Sequence, residues 1–357
     1  MRKIILPVFI VFFFFGNVVF AQKPDHKIVP EHYICYRTTE PIVIDGLLSE
    51  SSWLNSDWTD YFVDIEGSKR PAPLFGTRVK MLWDNQFLYI AAFLEEPNVW
   101  ATLTQRESVI FNDNDFEVFI DPDGDTHNYI EYEMNAFNAQ WDLLLLRPYR
   151  DEDGQNVAVD NWSMNGMKSA VWVDGTINNA ADKDKGWYVE IAIPFDAIGE
   201  LNKKLVPPVD GEQYRINFSR VEWQTDWLNG EYVKRGITEN GKTLFLPEYN
   251  WVWSEQGVIA MHQPETWGYL QFSTLKAGEG KAGFVADKNA SCKEYLRNIY
   301  FAEKKYFEKS KKYTADLESF NLEKPDNESA IIILTQNGYK ASLGRFLIDE
   351  TGKLSTK

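Results

Sequence analysis

Between residues 33 and 274, apolar and polar residues alternate at period two in short runs closed by turn residues. Residues 77–83 place Val79, Met81 and Trp83 on one face. Asp84-Asn85-Gln86 then turns the chain, and residues 87–94 return as an apolar strand, which predicts a hairpin. Phe116, Val118 and Ile120 alternate with Glu117, Phe119 and Asp121. Residues 129–136 predict a further strand, residues 187–193 an alternating run closed by Pro194, and residues 215–221 and 269–272 two more. Residues 196–201 read as one helical turn. Many strands, short turns and few helical stretches predict a mainly β domain over 33–274, an antiparallel immunoglobulin-like β-sandwich.

The pattern changes after Thr274. Gly278, Gly280 and Gly283 among small and charged residues make 275–291 a linker. Cys292, Leu296, Ile299, Tyr300 and Phe307 recur at three and four, which predicts an amphipathic helix. Thr314 is placed to cap a short second helix, and residues 331–335, 339–343 and 345–349 read as three strands, so 292–357 is expected to be a small α+β unit. The helix is rich in lysine, but Glu294, Glu303 and Glu308 lie along it too. It therefore reads as a solvated face docked on the acidic sandwich rather than as a surface for an anionic partner. At the other end, Arg2 and Lys3 precede an apolar run over 4–15, and Val19-Phe20-Ala21 follows. Residues 1–21 read as a signal peptide, so the mature protein is expected to be exported, to the periplasm, the cell surface or the medium. Gly16-Asn17 cuts the run short of a membrane span, and no other stretch is long enough for one, so no transmembrane segment is expected after cleavage.

Charge and cysteine content narrow the function. With 37 Lys+Arg against 53 Asp+Glu, the formal net charge of −16 argues against nucleic acid as the main partner. Two cysteines exclude a disulfide-rich scaffold and a Cys-ligated zinc cluster. Export leaves open both a Cys35–Cys292 disulfide and two unpaired thiols. No nucleophile-elbow or zincin motif is present, and His26, His32, His127 and His262 form no metal pair on a helix face.

What stands out is a set of acids on adjacent strands. Glu117 shares a face with Asp115 and Phe119, and Glu131, Glu133 and Asn135 share a face of the next strand. If the two strands pair, carboxylates crowd one face, which is costly without compensation. Three readings compete. Arg106, Arg215 or Arg220 neutralises the acids; or the acids accept hydrogen bonds from sugar hydroxyls beside stacking aromatics; or two of them serve a glycosidase as acid and base. Binding ranks first and catalysis third. Asp121, Asp123 and Asp125 around Gly124 suit either a calcium loop or an ordinary turn. Phe111, Trp141, Trp162, Trp223, Trp227, Trp251, Trp253 and Trp267 lie mostly near strand ends or loops, where rings beside polar groups suit a sugar.

Several stretches taken together carry a family resemblance. Pro41-Ile42-Val43-Ile44-Asp45-Gly46 with Glu50 and Trp53, then Val79-Lys80-Met81-Leu82-Trp83-Asp84, resemble the opening of the family 9 carbohydrate-binding modules. The strand from Asn114 to Asp121, Gly186-Trp187-Tyr188-Val189-Glu190-Ile191-Ala192-Ile193-Pro194 and the closing Trp267-Gly268-Tyr269-Leu270-Gln271-Phe272 are similar in order and spacing. The resemblance implies an antiparallel sandwich with bound calcium and a sugar held between two aromatic rings. It places the sugar-contacting glutamate at Glu117 and one ring at Phe111. An arginine of the family falls near Glu133, and the second tryptophan near Met261, with Trp253 as its candidate replacement.

The expected protein is thus a non-catalytic binder of poly- or oligosaccharide, working with polysaccharide-degrading enzymes in catabolism. Phe111, Glu117, Glu133, Asn135, Trp141 and Trp253 are its expected site, and Asp121, Asp123 and Asp125 hold a structural calcium. The rivals are a xylanase-like glycoside hydrolase and a haem-binding sandwich with Met134, Met261 or His262 as axial ligands.

Overall fold

Alternation at period two becomes two facing layers in the computed structural model of the chain, which describes residues 24, 27–151, 157–159, 161–202, 206–239, 241–325 and 329–357. The expected signal peptide lies outside the described residues. The order begins β1 (His32–Arg37), α1 (Ser51–Leu54), β2 (Val63–Asp64), β3 (Thr77–Trp83), β4 (Phe87–Glu95), β5 (Asp115–Asp121), β6 (Tyr129–Asn135), β7 (Gln140–Leu145) and β8 (Ala158–Val159). It continues with β9 (Lys168–Asp174), β10 (Gly186–Pro194), α2 (Phe195–Asn202), β11 (Gln213–Glu222), β12 (Thr225–Leu228), β13 (Glu231–Lys234), β14 (Gly236–Glu239), β15 (Lys242–Phe245), β16 (Tyr249–Val252) and β17 (Gly268–Lys276). The C-terminal part holds α3 (Ala290–Ser310), β18 (Ile331–Leu334), β19 (Tyr339–Leu343), β20 (Phe346–Asp349) and β21 (Leu354–Thr356).

Among the described residues, the main sheet runs β8-β7-β6-β5-β11-β17-β1-β3-β4-β10-β9, with β16 beside β11 and β2 beside β16. Its two halves face one another. Phe116, Val118, Ile130, Tyr132, Met134, Ile216 and Phe218 from one half meet Val79, Met81, Trp83, Ile90, Val189 and Ile191 from the other in a single core. These are the apolar positions of the alternating runs, so the sequence pattern and the core coincide. The chain is mainly β, with a small helix-and-sheet unit at its C-terminal end. One feature departs from an all-antiparallel arrangement: β1 pairs in parallel with both β17 and β3, joining the two halves. Period two specifies the face a residue takes, not which strand its neighbour will be, so local pattern could not show this join.

The motif near the N-terminal end earns its place by closing the sandwich edge. Glu190 of β10 accepts from the Trp53 indole at 2.8 Å and from the backbone N–H groups of Asp45 and Gly46 at 2.9 and 3.0 Å. Gly46 has φ +82°, and a Cβ there would sit 2.7 Å from the Trp172 nitrogen, so only glycine fits.

In the C-terminal unit, Tyr295, Leu296, Ile299 and Tyr300 of α3 pack on a four-stranded sheet in the order β18-β19-β20-β21. β21 adds a fourth strand to the three expected. The turn at Leu317–Phe320 is capped by Asp316, whose carboxylate accepts from the Glu318 nitrogen, rather than by Thr314. Cys35 is buried and Cys292 half-buried, and both are free thiols. The unit rests on the β5–β6 loop. Arg297 donates to the carbonyls of Gly124 and Gly352 at 3.1 Å each, and Lys353 pairs with Asp125 at 3.1 Å.

Glu303 gives this unit a pH dependence. Its side chain is fully buried and accepts from the Thr314 nitrogen at 3.2 Å, while its second oxygen has no partner. Burial pushes its carboxyl up to about 7, against the Thr314 hydrogen bond. Because the folded value lies above the unfolded one, this contribution to stability is complete in acid and is lost as pH rises toward and through 7. Glu303→Gln is expected to remove at most about 3 kcal/mol of that loss. Urea melts of both forms at pH 5 and pH 8 check this: the gap between the two pH values narrows in the variant.

Candidate functional site

Pairing of β5 with β6 brings the acids together as their spacing implied. Glu117 lies directly opposite Glu133, Asp115 opposite Asn135, and Glu131 opposite Phe119. The row continues on both sides, with Trp141 of β7 opposite Glu133 and Ser219 of β11 opposite Glu117. All of these carboxylates point away from the core, because the alternate residues of both strands fill it. They are nonetheless buried: Asp115 is 0% exposed, Glu133 2%, Glu131 5% and Glu117 6%. Asp115, Glu117 and Glu133 can each offer one oxygen such that the three lie within 4.8 Å of one another.

Desolvation pushes the Glu117 carboxyl up to about 7, and Glu248 adds to the rise. Asp115, Glu131 and Glu133 are raised well above the ordinary range, by burial first and then by one another and Glu117.

The three arginines considered as neutralisers are engaged elsewhere. Arg106 pairs with Asp142. Arg215 donates to the Pro264 and Glu265 carbonyls and lies over the Tyr269 ring. Arg220 holds Glu96 and Glu222. The arginine reading is therefore corrected for all three: each is committed to a buried or loop partner that strand pattern does not reveal.

Aromatic side chains rim the acids. Phe111 and Trp141 are half-buried, and the Phe111 nitrogen donates to Glu133 at 3.0 Å. Trp223, also half-buried, donates its indole N–H to the Phe111 carbonyl at 2.8 Å, and the Lys234 ammonium sits 3.4 Å from its ring centroid. Burial lowers the Lys234 ammonium to about 8, with Asp113, Glu248 and Asp115 pulling it back up. The pattern reading missed Lys234 and the β12–β13 hairpin that delivers it. The signal was there in Asn229-Gly230, the residue pair of a tight hairpin turn; both have positive φ, 54° and 91°.

Two expected members do not join the site. Trp253 packs on Phe218 in the main core, with its ring against Gly268, where a Cβ would come within 2.4 Å. Asn135 is fully buried and its amide is used up: it donates to the Leu103 carbonyl and Asp113 and accepts from the nitrogens of Phe137 and Ala139. It shapes the turn beside the acids. The haem reading gains no support from its three candidate ligands. Met134 is in the core, whereas Met261 and His262 pack on the opposite face of the sheet around Phe119, Tyr129 and Trp267.

The Asp121–Asp125 loop forms a second acidic group, its three carboxylates again within 4.8 Å. By donor type they fit a hard cation. Asp121 accepts from the Gly124 and Thr126 nitrogens, Asp125 accepts from the His127 nitrogen, and Lys353 already supplies positive charge to Asp125.

Residues 44–217 match the family described as carbohydrate family 9 binding domain-like. No curated protein matches the chain. Among solved structures, a family 9 carbohydrate-binding module from Caldicellulosiruptor kristjanssonii in complex with cellotriose is 15% identical, with 71% of this chain and 100% of that one covered and a TM-score of 0.40. The glucose complex of a module from the same organism gives the same figures. A Bacteroides uniformis protein assigned by name to carbohydrate binding is 14% identical, with 69% and 100% covered and a TM-score of 0.48.

Proposed function

We propose, from the match of residues 44–217 to the carbohydrate family 9 binding domain-like family, that the chain is an exported, non-catalytic carbohydrate-binding protein serving polysaccharide catabolism beside degrading enzymes. The observation that carries the reading is the combination of Glu117 and Glu133 with the half-buried rings of Phe111, Trp141 and Trp223 at their edge. Carboxylates accept hydrogen bonds from sugar hydroxyls, and a ring face packs on the C–H face of a pyranose. A structural calcium at Asp121, Asp123 and Asp125 belongs to the same proposal; it would brace the loop on which the C-terminal unit rests.

A glycan array of the protein lacking residues 1–21, run beside a reducing-sugar assay on the glycans it retains, tests the reading. Retention of a defined class of oligosaccharide without release of reducing ends is the expected result. Release of reducing ends, or no retention across plant and host glycans, would remove it.

A further inference from the structure

We propose that Asp115, Glu117 and Glu133 bind a divalent hard cation, calcium by its chemistry, on the sheet face between Phe111 and Trp141, apart from the Asp121–Asp125 loop. The inference deepens the sugar-site reading, because a cation there would present open coordination positions to sugar hydroxyls. It starts from geometry. Oxygens ligating one calcium at about 2.3–2.6 Å can be no more than about 5 Å apart. Three from these side chains lie within 4.8 Å. All three donors are carboxylates, which excludes the nitrogen and sulfur sets preferred by zinc and copper.

Unpartnered oxygens make the second observation. The Asp115 carboxylate is held on one side by the Val221 nitrogen, which donates to Oδ1 at 3.1 Å, while its Oδ2 is buried without a hydrogen-bond partner. Glu131 lies one pleat along the same face. It is 5% exposed, and its Oε2 is likewise buried and unpartnered. Buried carboxylate oxygens without donors are costly, and two on one face point to a missing positive charge. The arginines do not supply it, as their partners lie elsewhere. Lys234 stands over the Trp223 ring and forms no ion pair with the three.

Chelator-treated protein is titrated with calcium chloride by calorimetry. Terbium serves as a second probe, because Trp141 opposite Glu133 is placed to sensitise its emission. Wild type should bind calcium, and Glu117→Gln with Glu133→Gln should weaken that binding by about tenfold or more. The double variant removes charges the fold must otherwise desolvate, so it should keep its circular dichroism and its melting temperature; Asp115→Asn repeats the test at a third ligand. Absence of calcium binding to 10 mM (a concentration about tenfold above weak extracellular modules) would overturn the proposal. So would binding that Asp123→Asn abolishes and the double variant spares. Calcium bound here without any glycan retained would sink the sugar reading and leave the cation standing. A glycan retained by protein that binds no calcium would do the reverse.

Discussion

Arg220→Met is expected to destabilise the fold by about 3–5 kcal/mol, the range for removing one partner of a buried ionic cluster. Arg220 is 1% exposed and its guanidinium reaches two carboxylates, Glu96 at 2.9 Å and Glu222 at 2.8 Å. It also donates to the Glu95 carbonyl at 2.8 Å and lies over the Trp251 ring at 5.3 Å. Even with Arg220 present, burial and the Glu222 charge hold Glu96 well above the ordinary carboxylate range. Without it, two buried acids share one site with no cation. Lysine should not rescue, since a single ammonium cannot reproduce the planar fork. Adding Glu96→Gln and Glu222→Gln to Arg220→Met should recover much of the loss, because the cost lies in the stranded charges. Urea unfolding of the four forms measures this. A loss under about 1 kcal/mol for Arg220→Met would mean that water reaches the cluster.

The second large effect falls on binding. Glu117→Gln keeps the shape of the side chain and deletes a charge that burial already disfavours. Affinity for the array-selected oligosaccharide should fall by about tenfold or more, as expected for losing a hydrogen bond to a charged group. The melting temperature should hold or rise. Calorimetric titration and a thermal melt on the same preparation separate the outcomes. A collapse of stability with unchanged affinity would make Glu117 a structural residue and move the sugar elsewhere.

Much of this was legible in the chain. Period-two runs gave β3, β4, β5, β6 and β10 and their inward faces, because a strand half-buried on one side must alternate. The same alternation put Glu117 and Glu133 on one face, and pairing set them opposite one another. What lay beyond reach was set by long-range choice. Arg220 finds Glu96 across 124 residues, a partnership that no local pattern encodes. Trp253 follows a strand and resembles a loop aromatic, yet Gly268 opens a gap that admits its ring to the core. Asn135 looks like a free amide on a strand, but the loops around Leu103 and Ala139 take each of its groups. The Asp121–Asp125 loop read as calcium or turn because its third use, as a seat for Arg297 and Lys353, depends on a unit that begins some 165 residues later.

The most direct measurement is a crystal of the protein soaked with the array-selected oligosaccharide. The account predicts density for a sugar ring against Phe111, Trp141 or Trp223, with hydroxyls within hydrogen-bond distance of Glu117 and Glu133. Density seated instead in the cleft lined by Tyr36, Trp58 and Lys281, with the Glu117 face left empty, would contradict it.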